Sequence, residues 1–195
     1  HNTMEDYFEA KKLLFTGWGG PAPRYAVINR DDEWGRKLAG SSASTEYLWY
    51  GLGQDAMVRA RHIQSGLKGL RYELVFGKTR FEVVSPLIGR INVYNTLAAC
   101  CAGMTYQLPP EIIARGIAEC KGVPGRFERV DEGQPFAVVV DYSHTDDALR
   151  NAISAARSLD AQRFGMDVTG QNIANVNTPG WNRRTIDIVE VAPPD

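Results

Sequence analysis

The stretch GRINVYNTLAACCA, residues 89–102, constrains the fold of this 195-residue chain more than any other. A glycine turn precedes a run of helix-forming residues, and Asn92 and Asn95 fall three residues apart on one face near the helix start. Each amide carries donors and an acceptor, so the pair can read the edge of a polar ring such as adenine. The alternative is a core helix whose asparagines serve only as caps.

Composition and charge narrow the class of protein. The chain is 44% apolar with a net charge of −1, which predicts a globular protein that binds neither nucleic acid nor an anionic membrane. We find no apolar run of membrane-spanning length and no signal peptide. Cys100, Cys101 and Cys120 lack metal or disulfide spacing, which predicts buried thiols in a reducing cytoplasm. Because the first residue is His rather than Met, we expect a fragment.

The N-terminal segment carries the signals of a capped helix. Thr3 precedes acidic residues of a first turn, and the predicted apolar positions are Met4, Phe8, Leu14 and Phe15. Lys11 and Lys12 come late in this helix, where lysines favour the helix dipole and remain solvated.

A short buried strand follows at residues 24–29, RYAVIN. Its end delivers Asn29, Asp31 and Asp32 to one edge of a sheet. In open α/β sheets that edge binds ligands, which makes Asp31 a candidate ligand residue, although an acidic helix cap explains Asp31 and Asp32 as well.

Further elements are predicted along the middle of the chain. Pro109-Pro110 start a helix, and FGKTR predicts a hairpin turn. Phe136–Val140 is an uninterrupted apolar run, which predicts a buried parallel strand ending at Asp141. The remaining predicted strands are residues 46–50, 56–64, 69–77 and 79–85, a small antiparallel sheet appended to a parallel one.

Two charged residues, one after a glycine turn and one at a predicted strand end, can bind polar ligand groups. The Arg126 guanidinium can bind phosphate or carboxylate in a planar fork, and Gly125 lets a ligand approach the backbone. The alternative is a surface ion pair of Arg126 with Glu128 or Asp131. A carboxylate at a strand end, such as Asp141, can accept both hydroxyls of a ribose.

Four motifs in this order and near this spacing resemble those of the Mur ligases, the ATP-dependent enzymes that extend the peptidoglycan stem peptide. They are HNTMEDYFEAKKLLF at residues 1–15, GRINVYNTLAA at 89–99, GRFERV at 125–130 and VVVDYSHTDDAL at 138–149. The resemblance covers about residues 1–157 and points to the member that adds the third residue. It implies an α/β fold: part of a central domain with a parallel sheet, helices and a small antiparallel sheet, then the first strand and helix of the C-terminal domain and a helical tail.

The resemblance also implies roles for single residues. In Mur ligases the lysine that matches Lys11 becomes carbamylated and helps hold magnesium, which makes Lys11 the catalytic and metal candidate. Such a lysine must be neutral to capture carbon dioxide, and its carbamate then offers hard oxygen ligands. Lys12 is its surface neighbour.

The nucleotide candidates follow in the same way. The resemblance places Asn92, Asn95 and Arg126 beside ATP and assigns the ribose to Asp141. His144 is a further candidate, although Asp146 stands where the family has proline. The implied substrates are a UDP-N-acetylmuramoyl-peptide and an amino acid, in the cytoplasm.

The implied domain organisation is incomplete. Residues 1–130 are expected to form part of the ATP-binding central domain and residues 131–157 the start of the C-terminal domain. The glycine-rich phosphate loop, the catalytic His-Leu-Asp segment and the amino-acid-recognising motif of the family are absent from the sequence, so we expect the chain to be inactive alone.

The tail, residues 158–195, departs from the ligase pattern. SLDAQRFGMDVTGQNIANVNTPGWNRR at residues 158–184 resembles the N-terminal signature of flagellar axial proteins such as the hook-filament junction protein. It predicts an apolar helical stripe that stops at Asn177-Thr178-Pro179-Gly180, and exposed residues such as Phe164 and Ile173 predict self-association. A structural flagellar segment and a junction of two unrelated genes near Arg157 therefore stay open as alternatives.

Overall fold

A five-stranded sheet organises the N-terminal two thirds of the chain in a computed structural model, which describes residues 3–66, 68–130, 132–133, 138–142, 153, 157, 168, 171–175 and 182–185. The elements in the described residues are α1 Met4–Thr16, β1 Tyr25–Asn29, α2 Glu33–Lys37, β2 Glu46–Gly51, β3 Val58–Gly66, β4 Gly69–Phe76, β5 Thr79–Ser85, α3 Arg90–Thr105, α4 Pro110–Glu119, β6 Glu128–Val130 and β7 Val138–Val140.

The sheet has the order β1-β2-β3-β4-β5. Strands β1, β2 and β3 are parallel, and β3, β4 and β5 are antiparallel. The predicted combination of parallel and antiparallel strands is confirmed, and strand β3 joins both kinds in one continuous sheet. The predicted hairpin is also confirmed, since Phe76 pairs with Thr79 across the turn.

Helix α3 packs on one face of this sheet. Its apolar residues Val93, Leu97, Cys100 and Cys101 are fully buried, and their spacing places them on one side of a helix of 3.6 residues per turn. They form a core with residues of the sheet and α4: Val58, Ala60, Leu70, Tyr72, Leu74, Val83 and Ile113. Burying a valine or leucine side chain contributes roughly 1.5–3 kcal/mol, so this core fixes α3 against the strands.

The opposite face of β1 carries a smaller core under α1 and α2. Ala26 and Ile28 are buried there with Leu38, and Phe8 and Phe15 pack against them. Because side chains alternate along a strand, Val27 points to the other core. Helices therefore cover both faces of the parallel part of the sheet, the arrangement expected of an α/β fold.

The start of α1 is the predicted one, because Thr3 Oγ1 accepts a 3.1 Å hydrogen bond from the backbone N–H of Asp6. The predicted apolar stripe is only half correct. Phe8 and Phe15 pack on the small core, whereas Met4 is 53% and Leu14 is 69% exposed.

Two further predictions are wrong. Val138–Val140 is antiparallel to β6, and Val138 and Val140 are exposed, so this described part of the predicted buried parallel strand is an edge ribbon. The apolar run gave the wrong prediction because short two-stranded ribbons can also be rich in β-branched residues. Of the three cysteines, Cys100 and Cys101 are buried as predicted, but Cys120 is exposed, since it follows the last residue of α4.

The chain divides into two compact units, His1–Val140 and Asp141–Asp195. In the second unit Val168 is buried and residues 171–174 are helical. The Asn172 side chain pairs with the backbone of Arg184, donating to its carbonyl at 2.7 Å and accepting from its N–H at 2.9 Å. None of the helices in the described residues is long and apolar enough to cross a membrane.

Candidate functional site

The start of α3 is held by a close glycine contact. Gly89 has a φ of 85° and precedes the helix without a side-chain cap. A Cβ on Gly89 would lie 2.9 Å from Cε1 of Phe127, closer than two carbons can approach. The predicted glycine turn is therefore confirmed, and Gly89 both adopts the positive φ and makes room for the Phe127 ring.

Asn92 and Asn95 form a pair just inside this helix. Asn95 Nδ2 donates a 2.9 Å hydrogen bond to Asn92 Oδ1, and Asn92 Nδ2 donates to the carbonyl of Ile88 at 2.8 Å. Asn92 is buried and Asn95 is exposed. The shared face is thus confirmed, but Asn92 uses its amide to anchor the helix start and Asn95 is the member that a ligand can reach.

The segment around Arg126 lies against the same helix start. Phe127 is buried with a φ of 51°, and its ring contacts Gly89. Glu128 Oε2 accepts the backbone N–H of Gly125 at 2.8 Å, which closes a tight turn. Arg126 is exposed on this turn, so the packing of Phe127 brings the Arg126 segment to the helix end that carries Asn95.

Asp31 connects three parts of the chain at the end of β1. Its Oδ2 accepts hydrogen bonds from the Leu52 N–H at 2.6 Å and the Tyr94 hydroxyl at 2.9 Å, and its Oδ1 accepts from the Gly53 N–H at 3.3 Å. Asp32 behaves differently, since its Oδ1 caps α2 through the Gly35 N–H at 2.6 Å. The cap explanation is therefore right for Asp32 and wrong for Asp31.

Tyr94 is the partner of Asp31 on α3. Burial raises the pKa of Tyr94 to about 12, and the hydrogen bond to Asp31 adds to this rise. The Tyr94 hydroxyl therefore stays protonated at neutral pH and donates a hydrogen bond to the Asp31 carboxylate. Farther along α3, the buried Tyr72 hydroxyl of β4 donates to Thr96 Oγ1 at 3.2 Å, so two tyrosines tie this helix to other elements.

Lys11 and Lys12 differ clearly in their surroundings. The Lys12 ammonium forms a 3.1 Å ion pair with Glu9 and lies 5.8 Å from the Phe8 ring centroid. The exposed Lys11 has its ammonium 5.3 Å from the Tyr7 ring centroid. Lys12 is thus engaged at the surface as predicted, and the metal role of Lys11 stays a prediction.

Two predicted residues belong to the second compact unit. Asp141 follows Val140 directly, and Val140 is the register partner of Glu128. His144 lies outside the described residues. Their assignment to a nucleotide site stays a prediction.

Comparisons with known proteins match two parts of the chain to known families. The family model of the Mur ligase middle domain matches residues 1–103. Over 163 residues, or 84% of this chain, the sequence is 62% identical to the UDP-N-acetylmuramoyl-L-alanyl-D-glutamate--2,6-diaminopimelate ligase of Solibacter usitatus. The chain belongs to the Mur ligase family. The enzyme of the same name from Bacillus licheniformis is 43% identical over 163 residues, which cover 82% of this Mur ligase chain.

This Mur ligase chain spans about a third of the length of the curated relatives it matches, 33% for both enzymes. A solved diaminopimelate ligase structure is 31% identical with a TM-score of 0.66, covering 80% of this chain and 32% of that one. The MurF ligase of Thermotoga maritima in complex with ADP is 22% identical with a TM-score of 0.64, covering 78% and 34%, which shows the shared fold.

The end of this Mur ligase chain matches a different family. The model of the flagella basal body rod protein covers residues 149–181, where the sequence predicts a flagellar signature. The described residues of this segment include the helical residues 171–174 that pair with Arg184 through Asn172.

Some residues that position the site in this Mur ligase chain were not predicted from the sequence. Tyr94 and Phe127 hold the two sides of the α3 start, and a Cβ on Gly51 or Gly53 would lie 2.8 to 2.9 Å from the Asp31 carboxylate. The sequence offered two signals for them: Tyr94 lies between the two predicted site asparagines, and a Gly-Leu-Gly sequence begins at the last residue of β2.

Proposed function

We propose that this chain is part of an ATP-dependent ligase that joins diaminopimelate to a UDP-N-acetylmuramoyl-dipeptide in peptidoglycan biosynthesis. The observation that carries the proposal is the 62% identity over 84% of the chain to the Solibacter usitatus diaminopimelate ligase. The eight relatives compared carry the same enzyme name, which favours diaminopimelate as the amino acid that is added.

The α3 start fits a nucleotide base. Asn95 is exposed, and its orientation is set by Asn92, so the carbonyl oxygen and one amide hydrogen of Asn95 are available to the edge of adenine. Within the part of the chain that the structure describes, Asn95 Oδ1 has no hydrogen-bond partner. Prior orientation of such a group reduces the entropy lost when a ligand binds.

Two charged residues complete the proposed nucleotide contacts. The exposed Arg126 offers a planar fork to a phosphate or carboxylate. The ribose role of Asp141 is proposed from the family resemblance alone. ATP itself supplies the phosphoryl group that activates the substrate carboxylate before the amine attacks it. The residues of this chain orient the nucleotide, and orientation accounts for much of catalysis in phosphoryl transfer.

Magnesium finds less support in the described residues. No group of three or more His, Cys, Asp or Glu side chains that could hold a metal ion occurs among them. We propose that a Lys11 carbamate supplies one of the magnesium ligands. Residues 1–130 would form part of the ATP-binding domain and residues 131–157 the start of the next, and the chain alone would not complete a reaction cycle.

A chimeric ligase tests the proposed function. Residues 3–142 would replace the matching segment of the full-length Solibacter usitatus enzyme, and ADP release that depends on the dipeptide substrate and diaminopimelate would be measured. We expect activity, and Asn95→Ala should raise the KM for ATP about tenfold, the loss of roughly 1.4 kcal/mol of hydrogen bonding. Gln64→Ala, which removes an exposed amide on β3, is the matched control.

Each result of this experiment has a distinct meaning. An inactive but folded chimera contradicts the ligase proposal. An active chimera in which Asn95→Ala behaves like Gln64→Ala keeps the ligase proposal and removes the base-binding role of Asn95.

A second candidate function concerns the tail. The match of residues 149–181 to the flagella basal body rod protein favours a structural segment of a flagellar axial protein that is joined to the ligase part. Mass spectrometry of the intact native protein, with a non-tryptic peptide that spans Arg157 and Ser158, would establish the junction. Native ligase peptides that lack any such continuation would contradict it.

A further inference from the structure

The Asp31 carboxylate accepts three hydrogen bonds from other parts of the protein. It accepts the N–H groups of Leu52 and Gly53 at the end of β2 and the hydroxyl of Tyr94 on α3. A Cβ on Gly51 or Gly53 would lie within 3 Å of its carboxylate, so the backbone of β2 approaches Asp31 as closely as glycine permits. Hydrogen bonds to a carboxylate are stronger than neutral ones.

The backbone of Asp31 is also fixed. Its N–H donates to Asn29 Oδ1 at 3.0 Å, and Arg36 Nη1 donates to the carbonyls of Arg30 at 3.0 Å and Asp31 at 3.2 Å. Strand β1, strand β2 and helix α2 therefore all determine where the carboxylate lies.

Tyr94 transmits this position to α3. Successive residues of a helix are rotated by about 100° around its axis, so fixing the azimuth of Tyr94 also fixes that of Asn95. A second constraint acts on Asn95 itself through the 2.9 Å hydrogen bond to Asn92. The half-buried Tyr94 thus anchors the helix while its exposed neighbour Asn95 remains accessible.

We infer that Asp31 and Tyr94 form a positioning pair, which holds the first turns of α3 against the ends of β1 and β2 so that Asn95 is oriented toward the base of a nucleotide. This inference rests on the proposed function. Asp31 acts here through Tyr94 and does not contact the nucleotide. Three of the acceptor positions of its carboxylate are already occupied by protein groups, which leaves few for a ligand.

Nuclear magnetic resonance of the full chain tests the pair through the side-chain amide signals of Asn95. Tyr94→Phe removes only the hydroxyl, and we expect it to shift or broaden these signals and to weaken ADP binding about threefold to tenfold. Tyr106→Phe is the matched control, because Tyr106 lies at the other end of α3 and is 80% exposed. Thermal unfolding of both variants would verify that they fold.

A double-mutant cycle separates positioning from a general loss of stability. If Tyr94 acts through Asn95, then Tyr94→Phe should change ADP affinity in the wild-type background and have no further effect in an Asn95→Ala background. Asp31→Asn keeps one carbonyl acceptor, so it should recover part of the affinity that Asp31→Ala loses.

The outcomes distinguish this inference from the proposed function. Asn95 signals that are unchanged by Tyr94→Phe, or additive effects in the cycle, overturn the positioning pair. If ADP leaves every signal of the wild-type chain unchanged, the nucleotide role fails, and the response of the Asn95 signals to Tyr94→Phe still decides whether the two residues are coupled.

Discussion

The ring of Phe127 occupies the space that a Cβ on Gly89 would need, because such a Cβ would lie 2.9 Å from Phe127 Cε1. This contact joins two motifs that are 36 positions apart in the sequence. The glycine turn begins the helix that carries Asn95, and Phe127 follows Arg126 directly. Together with the Tyr94 hydrogen bond to Asp31, it fixes the α3 start from two sides.

Gly89→Ala should therefore destabilise the fold. The variant must hold a Cβ at a φ of 85° and displace the Phe127 ring, and we expect a loss of about 2–4 kcal/mol in the free energy of unfolding. Urea unfolding of the full chain measures it. Gly116→Ala in α4, where a Cβ meets nothing within 4 Å, is the control and should be neutral or stabilising. Equal losses in both variants would contradict the packing explanation.

The two lysines of α1 should differ in their effect on activity. In a full-length ligase that carries this segment, Lys11→Ala should reduce kcat/KM to less than about a tenth. Lys12→Ala removes the surface ion pair with Glu9 and the contact of the ammonium with the Phe8 ring. A surface ion pair is worth about 0–1 kcal/mol of stability, so this variant should leave kcat/KM near the wild-type value. A carbamate signal from ¹³C-labelled bicarbonate should be absent in the Lys11→Arg variant. Similar kinetics for the two alanine variants would remove the carbamate assignment.

The buried thiols of α3 predict that the chain loses stability in alkaline solution. Burial raises the pKa of Cys100 to about 11 and of Cys101 to about 12, from an ordinary value of 9.0. As the pH rises, the unfolded chain therefore loses these protons before the folded chain does. The contribution of the thiols to the free energy of unfolding is complete below pH 9 and is lost as the pH rises from 9 through 11 to 12. Each thiol lowers the free energy of unfolding by at most about 1.4 kcal/mol per pH unit in this window.

Urea unfolding at pH 8 and pH 10.5 measures this loss. Cys101→Ala should make the decrease between the two pH values smaller, whereas Cys120→Ala, which changes the exposed thiol, should leave it as in the wild type. A wild-type chain that is equally stable at both pH values would contradict the prediction.

The sequence predicts the elements better than the contacts between them. The alternation of side chains along a strand and the turn residues Gly77 and Lys78 are local signals. The hairpin of β4 and β5 could therefore be predicted from them. Val138–Val140 shows the limit, because an apolar run does not reveal which strand will pair with it or in which direction. The exposed Met4 and Leu14 similarly show that a helical stripe does not reveal which of its residues find a partner.

In the candidate site, too, the local contacts could be predicted from the sequence and the long-range contacts could not. The pairing of Asn92 with Asn95 could be predicted because it depends on helix geometry alone. The Asp31 to Tyr94 bond joins residues 63 positions apart, and the Gly89 to Phe127 contact is also long-range. Neither leaves a periodic pattern in one sequence, so both had to come from the fold.

The tail should be the part of the chain that proteases attack first. Ile173 is 69% exposed. The hydrogen bonds that join Arg184 to the helical residues include the two with the Asn172 side chain and the 3.1 Å bond from Arg184 Nη1 to Gln171 Oε1. Trypsin should therefore cut early between Arg157 and Arg184 and leave a stable N-terminal product.

Asn172→Ala should increase the rate of cleavage at Arg184 about fivefold or more, because the loss of two hydrogen bonds makes local opening at Arg184 easier. Asn175→Ala, whose amide donates to the carbonyl of Gln171, is the matched control and should change the rate less. A tail that resists trypsin as long as the N-terminal unit would contradict this prediction and indicate that the segment is packed as firmly as the ligase fold.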